Sequence, residues 1–312
     1  MKSFVETLQA TLLPAATLVA RHGGRPPAAI ELASQGVVAA TGRPAVYAFA
    51  PLPEGALVPG IAEENIRSME PVVAAIRAAL DPVRPPRRAI TVLLPDTAVR
   101  VFVLDFESIP ARTEEALAVL RFRLRKVIPF EVEKAAISYQ VLSQQKEQCR
   151  VLAAVVPGPV REEYEAAVRK AGYEPGALLP ASLAALETVE TGGSLEATLT
   201  ATLSPEALIC CISTTSDLLL YRILTLPEDE QQRALEIQRG VAVAVAFYED
   251  KLQAPPRTLR YTGTMELAEF QQIAALPELN IEALTPRPET GALTGLGTAS
   301  LAGVTGALAG AY

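Results

Sequence analysis

The stretch Val127-Ile128-Pro129-Phe130-Glu131-Val132-Glu133, followed by Ile137-Ser138-Tyr139-Gln140-Val141-Leu142, carries the reading of the fold. A proline cannot continue a helix, and it pushes the residue before it out of the helical region. A helix that opens at Pro110 and Thr113 therefore stops near Val127. Thr113 is a suitable N-cap, and Glu114 and Glu115 suit the positive end of the helix dipole. Upstream, Val99, Val101 and Val103 alternate with Arg100, Phe102 and Leu104, the period of a strand. Downstream, residues 135–142 and 150–156 read as two further strands, and residues 160–171 as a helix closed by Gly172. The block 97–172 thus reads strand, helix, strand, strand, helix: a compact insertion.

The flanking chain has a different texture. Residues 28–33, 37–41 and 45–50 read as strands punctuated by Gly36, Gly42 and Pro44. Residues 69–80 have helical spacing, with Val72, Val73, Ile76 and Leu80 on one side. A basic, proline-rich link then leads to residues 89–94, an apolar run of the kind buried on both faces. After the block come a helix over 181–189 and the hinge Thr191-Gly192-Gly193. The first pattern then returns, with strands at 195–203, 207–212 and 218–224 and a long helix over 228–251. A strand (258–262), a helix (267–275) and a last strand (280–284) complete it. Two such halves joined by a hinge mean two packed α/β domains around a cleft.

Composition removes several function classes. The 312 residues carry a net charge of −7, against a protein that grips nucleic-acid backbone. One histidine, His22, leaves no His-based metal cluster and no Ser/His or Cys/His pair. Cys149, Cys210 and Cys211 are too few for a disulfide framework, and neighbouring cysteines on a strand point to opposite faces. Glu6 and Gln9 stand where a signal peptide would be apolar, so no cleaved leader is expected. Residues 290–312 lack charge and carry Gly291/Gly295 and Gly306/Gly310, yet their Gly, Ala and Thr content is weakly hydrophobic. A soluble helix is expected there rather than an anchor.

The stretch quoted at the outset resembles the segment that closes the insertion helix of the PilM family of type IV pilus assembly proteins. Residues 151–156 and Ala171-Gly172-Tyr173-Glu174-Pro175 fit the next elements of that family in order, and Pro51-Leu52-Pro53-Glu54-Gly55-Ala56-Leu57 resembles an early loop. The resemblance implies an actin-like (FtsA/PilM-type) two-domain α/β fold with an inserted α+β subdomain. The expected layout is an N-terminal segment 1–27, a first domain in two parts (28–96 and 173–190) and the insertion 97–172. A second domain (194–296) and a C-terminal helix (297–312) returning to the first domain follow.

Actin-like ATPases hold ATP and Mg²⁺ with two Asp-x-Gly turns, one per half, and a third Gly-containing turn for adenosine. Here the first turn reads Glu31-Leu32-Ala33-Ser34-Gln35-Gly36, with Val38 where PilM commonly has Lys. Any Cβ at position 33 intrudes where backbone approaches phosphate. The second turn is read as Cys211-Ile212-Ser213-Thr214-Thr215-Ser216, its carboxylate and glycine gone. The third, Tyr261-Thr262-Gly263-Thr264-Met265, keeps one glycine. Glu31, Ser34, Ser213, Thr214 and Gly263 are therefore read as degenerate nucleotide positions. Hydrolysis is expected to be lost and no cofactor is expected, with residual ATP and Mg²⁺ binding left open. Plain structural roles, a strand-end carboxylate and a solvated turn, stand beside this reading.

The resemblance further implies a cytoplasmic adaptor at the inner-membrane face. It would bind the short N-terminal tail of a PilN-like membrane protein between the first subdomain and the insertion, and contact a PilB-like assembly ATPase. Leu104, Phe106, Ile128, Pro129 and Phe130 are the candidate pocket residues. Arg121 and Arg125, part of the run Arg121, Arg123, Arg125 and Lys126, are candidates for an acidic partner or a solvated helix end. Two rivals remain open: a working ATPase or sugar-kinase relative with Glu31 on Mg²⁺, and the cytoplasmic part of a type II secretion protein of the same fold.

Overall fold

The computed structural model describes residues 25–42, 45–62, 64–189, 197–214, 217–284 and 299–309. The expectations for residues 1–24, for Thr191-Gly192-Gly193, for Thr215 and Ser216, and for Gly291, Gly295 and Gly310 fall outside the described residues.

Two five-stranded sheets share one plan. In the first, β1 (Ala28–Ala33), β2 (Gly36–Thr41) and β3 (Val46–Pro51) run as an antiparallel meander, and β4 (Ala89–Leu94) and β8 (Glu174–Pro180) join in parallel, in the order β3-β2-β1-β4-β8. The second sheet repeats this with β9 (Thr198–Leu203), β10 (Ala207–Ser213), β11 (Leu218–Thr225), β12 (Thr258–Gly263) and β13 (Asn280–Ala283), in the order β11-β10-β9-β12-β13. Strands β1, β2 and β4 are largely apolar on both faces because both faces are covered, with Glu31, Thr41 and Thr91 as buried exceptions.

Helix α1 (Met69–Val83) lays Val72, Ile76, Ala79 and Leu80 on one face of the first sheet. The three strands β5 (Arg100–Phe106), β6 (Ala136–Gln144) and β7 (Cys149–Val156) form a separate sheet, order β5-β7-β6, covered by α2 (Thr113–Leu124). Helix α2 ends three residues earlier than the sequence suggests, in a turn where Val127 and Ile128 both donate to the Leu124 carbonyl.

The insertion is smaller than the expected block 97–172. Helix α3 (Gly158–Ala171) buries Val160, Tyr164, Ala167, Val168 and Ala171 beside α1, in the core of the first domain. Its place before β8 matches that of α6 (Leu267–Ala274) before β13, after the long α5 (Glu230–Leu252). Continuity along the chain suggested one unit; burial assigns the helix to the other.

The short helix α4 (Ala181–Ala185) and the last described helix, α7 (Ala299–Ala309), cross each other over the opposite face of the first sheet. Leu301, Val304, Ala307 and Leu308 of α7 are buried against Ala29, Val38, Leu93 and Ala184. Gly306 makes the crossing possible, because a Cβ there would overlap the Ala184 carbonyl. Arg25 also donates to the Gly306 carbonyl at 3.2 Å, tying α7 to the residue that precedes β1. Among the described residues, no helix is long and apolar enough to cross a membrane.

Candidate functional site

Two places invite function: the cleft between the halves, and a groove between the first domain and the insertion. The cleft turns out to be filled. Ser34, at the β1–β2 turn, donates its hydroxyl to Glu206, at the β9–β10 turn. The two turns between which phosphates would lie are thus joined directly.

The register of the sheets relocates the second of these turns. Strand β9 holds the place in its sheet that β1 holds in the other: antiparallel to the next strand, parallel to the strand on its other side. Ala33 pairs with Gly36 across the first turn, and Leu203 with Leu208 across the second. Two residues back, Glu31 therefore corresponds to Ala201, and Ala33 to Leu203. Cys211, Ser213 and Thr214 belong to the following hairpin instead. Cys211 is buried mid-strand, and Thr214 accepts from the Asp217 amide at 3.0 Å to close the β10–β11 turn. The run Ser213-Thr214-Thr215-Ser216 is rich in hydroxyls and resembles a phosphate loop, whereas the true second station, Ser204-Pro205-Glu206, carries only one hydroxyl. At the corrected station neither Ala201 nor Leu203 offers an oxygen ligand.

Glu31 is buried on the face of β1 beneath α7, and its Oε2 has no hydrogen-bond partner. Gly303 lies directly on it: a Cβ at 303 would overlap that oxygen and come within 3.0 Å of Leu93 Cδ1. Burial, reinforced by the nearby Asp96 carboxylate, pushes the Glu31 carboxyl up to about 8, so it is held protonated at neutral pH. Asp96, just after β4, was not singled out from sequence. It accepts from the Ser182 amide at 3.2 Å, the Ser182 hydroxyl at 2.5 Å and the Tyr221 hydroxyl at 3.0 Å. Burial lifts its carboxyl, those bonds pull it back toward the ionised form, and the balance leaves it at about 6. A carboxylate immediately after a buried parallel strand was the available signal, since ligand-facing groups gather at the carboxyl ends of such strands.

Around this cluster the cleft is apolar. Leu152 of the insertion and Leu183 of α4 pack against Ile209, Cys211 and Leu218 of the second sheet, joined by Val101, Val103 and Tyr221. Arg150 of β7 pairs with Asp217 of the second half at 2.9 Å and with Asp105 at 3.2 Å. At the third station, Gly263 has no room for a ligand. A Cβ there would sit 2.7 Å from Leu203 Cβ, and the Tyr261 hydroxyl fills the space while donating to the Met265 carbonyl at 2.8 Å. The residues present do not fit ATP with Mg²⁺. One carboxyl is neutral and covered, the opposite station is Ala201 and Leu203, and the turns are bonded to each other. Among the described residues, no cluster of His, Cys, Asp and Glu could hold a metal ion.

The groove, by contrast, is open. It encloses about 710 Å³ between the segment 61–69 ahead of α1, the segment 130–134 after α2, and the N-terminal half of α3. Ile61, Met69, Phe130, Pro159 and Val160 give it apolar walls, while Glu64, Glu131, Glu162 and Glu163 face it against the single cation Lys134. One side is pinned by polar contacts. Glu163 accepts from the Asn65 and Ile66 amides at 2.7 and 2.9 Å, and the fully buried Asn65 accepts from the Tyr164 hydroxyl at 3.1 Å.

Of the seven residues expected to meet a partner, only Phe130 lines this groove. Ile128 is buried beneath α2, Pro129 is exposed, and Leu104 and Phe106 pack into the insertion's own core. Arg121 and Arg125 lie off the groove, and Arg125 is ion-paired with Glu133. The groove-lining Ile61, Met69 and Glu163 carry no motif, and only the fold brings them to Phe130.

No protein-family model matches the sequence, and no curated protein does. Solved structures do match. A PilM-PilN type IV pilus biogenesis complex aligns with 91% of this chain and 96% of the matched chain, at 17% identity and a TM-score of 0.70. The cytoplasmic domain of EpsL, an inner membrane component of the type II secretion system of Vibrio cholerae, covers 82% and 84%, at 15% identity and a TM-score of 0.47. A Bacteroides thetaiotaomicron protein with an actin-like ATPase fold and unknown function covers 90% and 94%, at 12% identity and a TM-score of 0.47. The chain has the actin-like fold in its PilM-like form.

Proposed function

We propose that this chain is a non-hydrolysing adaptor of a type IV pilus or related secretion assembly, acting at the cytoplasmic face of the inner membrane. In this reading it holds the extended N-terminal tail of a PilN-like membrane protein in the groove walled by Phe130. The observation that carries the proposal is the contrast between two sites. The cleft between the two halves is filled by Ser34–Glu206, the Asp96 cluster and Leu152, whereas the groove stays open with apolar walls. A protein without a reaction centre acts by binding, and an extended peptide docks through backbone hydrogen bonds with apolar side chains in pockets.

Groove chemistry refines the partner. Four glutamates face it and Lys134 is paired with Glu131 at 2.7 Å, so a tail mixing apolar and basic residues complements it. This differs from the acidic partner that was one of the two readings kept open for Arg121 and Arg125. A PilB-like ATPase remains a second proposed contact, on a surface the groove does not define.

Calorimetric titration with the cytoplasmic tail of the PilN-like protein from the same genome tests the reading. Saturable binding that Phe130→Ala weakens and added salt reduces is expected. A tail that binds equally well to the variant moves the site elsewhere, and ATP turnover by the purified chain overturns the adaptor reading.

A further inference from the structure

Helix α2 is apolar on two sides. Ala116, Leu120 and Leu124 are buried on the insertion sheet, but Phe122 is 66% exposed and Val127 just beyond the helix is 56% exposed. These two stand among the few large apolar side chains left in solvent. Around them the chain places Arg121, Arg123, Arg125 and Lys126, with Lys126 Nζ 5.6 Å from the centre of the Phe122 ring. Among the described residues, Arg125 is ion-paired with Glu133, whose carboxylate Arg121 also stabilises through space. A chain of net charge −7 thus concentrates four cations in six residues around an exposed aromatic.

We propose that residues 121–127 form a docking surface for an anionic lipid bilayer. Arginine and lysine stems lie along apolar surface while their charges stay with the headgroups, and an aromatic ring between them enters the interfacial region. Each cation near an anionic leaflet adds to the attraction, which fades within a Debye length. The observations favour a bilayer over an acidic protein for a geometric reason. A protein anchor fills a shaped pocket, whereas Phe122 stands in the open, ringed by flexible cations that present no fixed contour. Ile128 and Pro129 carry the chain from this patch straight to Phe130 in the groove. A tail held in that groove by a membrane-anchored partner would bring the patch to the lipid. That proximity rests on the groove reading; the charge and exposure of the patch do not.

Co-sedimentation of the full chain, without peptide, with phosphatidylglycerol-containing and with pure phosphatidylcholine vesicles is the test. Binding to the anionic vesicles alone, lost at high salt, is expected. Arg123→Glu with Lys126→Glu should lower the partition by roughly thirtyfold or more. Because the chain has no tryptophan, Phe122→Trp supplies a reporter at the patch itself. Its emission should shift to the blue with anionic vesicles and stay put with neutral ones. Wild-type protein that ignores anionic vesicles, or a charge-reversed variant that still binds them, overturns the proposal; the first result hands the patch to an acidic protein partner. Either result leaves the groove reading intact, since peptide titration with Phe130→Ala is read separately.

Discussion

The Ser34 hydroxyl donates to the Glu206 carboxylate across the mouth of the cleft, bonding the tip of one phosphate-type turn to the tip of the other. In a nucleotide-binding relative of this fold those turns must stay apart to hold phosphates between them. Here the gap is closed by the protein's own groups, and Glu31 behind it is covered by Gly303.

Nucleotide should therefore leave the melting curve where it is. A ligand at a hundredfold excess over its Kd stabilises the native state by about 2.7 kcal/mol. For a chain of this size that would raise Tm by roughly 4 °C. No shift is expected with ATP and Mg²⁺, for wild type or for Glu206→Ala, because Ala201 and Leu203 still lack ligands. A clear shift in wild type would show that the cleft opens in solution.

Stability should fall as pH rises through the neutral range, and Glu31 should be a principal cause. Its folded value of about 8 lies above its ordinary 4.5, so the native state holds the proton more tightly. The resulting stabilisation is complete below 4.5 and drains away as pH climbs to about 8, with Asp96 adding a smaller loss between 3.8 and about 6. At pH 7 wild type has forfeited on the order of 3 kcal/mol of it. Glu31→Gln, which cannot ionise, should gain on wild type by that order between pH 5 and pH 8 in urea titrations. A stability difference that does not change with pH would mean Glu31 stays ionised when folded.

Phe130→Ala should weaken tail binding by roughly thirtyfold, the equivalent of about 2 kcal/mol for a buried anchor. Phe130 also touches the insertion core, so circular dichroism must show the variant folded. Glu64→Lys, exposed on the groove rim, should weaken binding of a basic tail without any effect on folding. Arg121→Glu, off the groove, should leave affinity unchanged. If Arg121→Glu matters and Glu64→Lys does not, the tail lies on the α2 side.

Gly306→Ala should destabilise the protein, although Gly to Ala inside a helix ordinarily gains up to about 1 kcal/mol. The added methyl meets the Ala184 carbonyl at the α4–α7 crossing, and overpacking of that kind costs about 1–3 kcal/mol. A Tm that rises instead would mean the two helices are free to separate. Deleting residues 303–312 should likewise lower stability rather than release the protein from membranes, because Val304, Ala307 and Leu308 are buried against the first domain.

Much of the architecture was readable from local pattern. Alternating valines at 99, 101 and 103, the Ile128-Pro129 stop and the charge-free run 89–94 mark elements by period and by steric rule, which act over a few residues. The order of those elements followed from them, while the likeness to PilM came from the resemblance of residues 127–142 and their neighbours to that family. The partner and the cleft were less readable. Calling Cys211–Ser213 the second phosphate turn was a one-hairpin slip, and only the β9–β10 register corrected it. Leu104 and Phe106 looked like pocket residues because they are apolar and close in sequence, yet strand alternation turns both into the insertion core.

What the sequence determined by itself was the alternation of strands and helices, the doubled plan, and the loss of an acidic glycine turn at Glu31-Leu32-Ala33. These follow from side-chain shape and backbone preference, which neighbours in the chain express directly. Tertiary structure alone decided that Ser34 meets Glu206 across 172 positions, that Glu31 shares a buried site with Asp96 and Gly303, and that Phe130 faces Met69 and Val160. Such pairings arise from burial in a common core and from sheet register, where a shift of one residue turns every side chain to the other face.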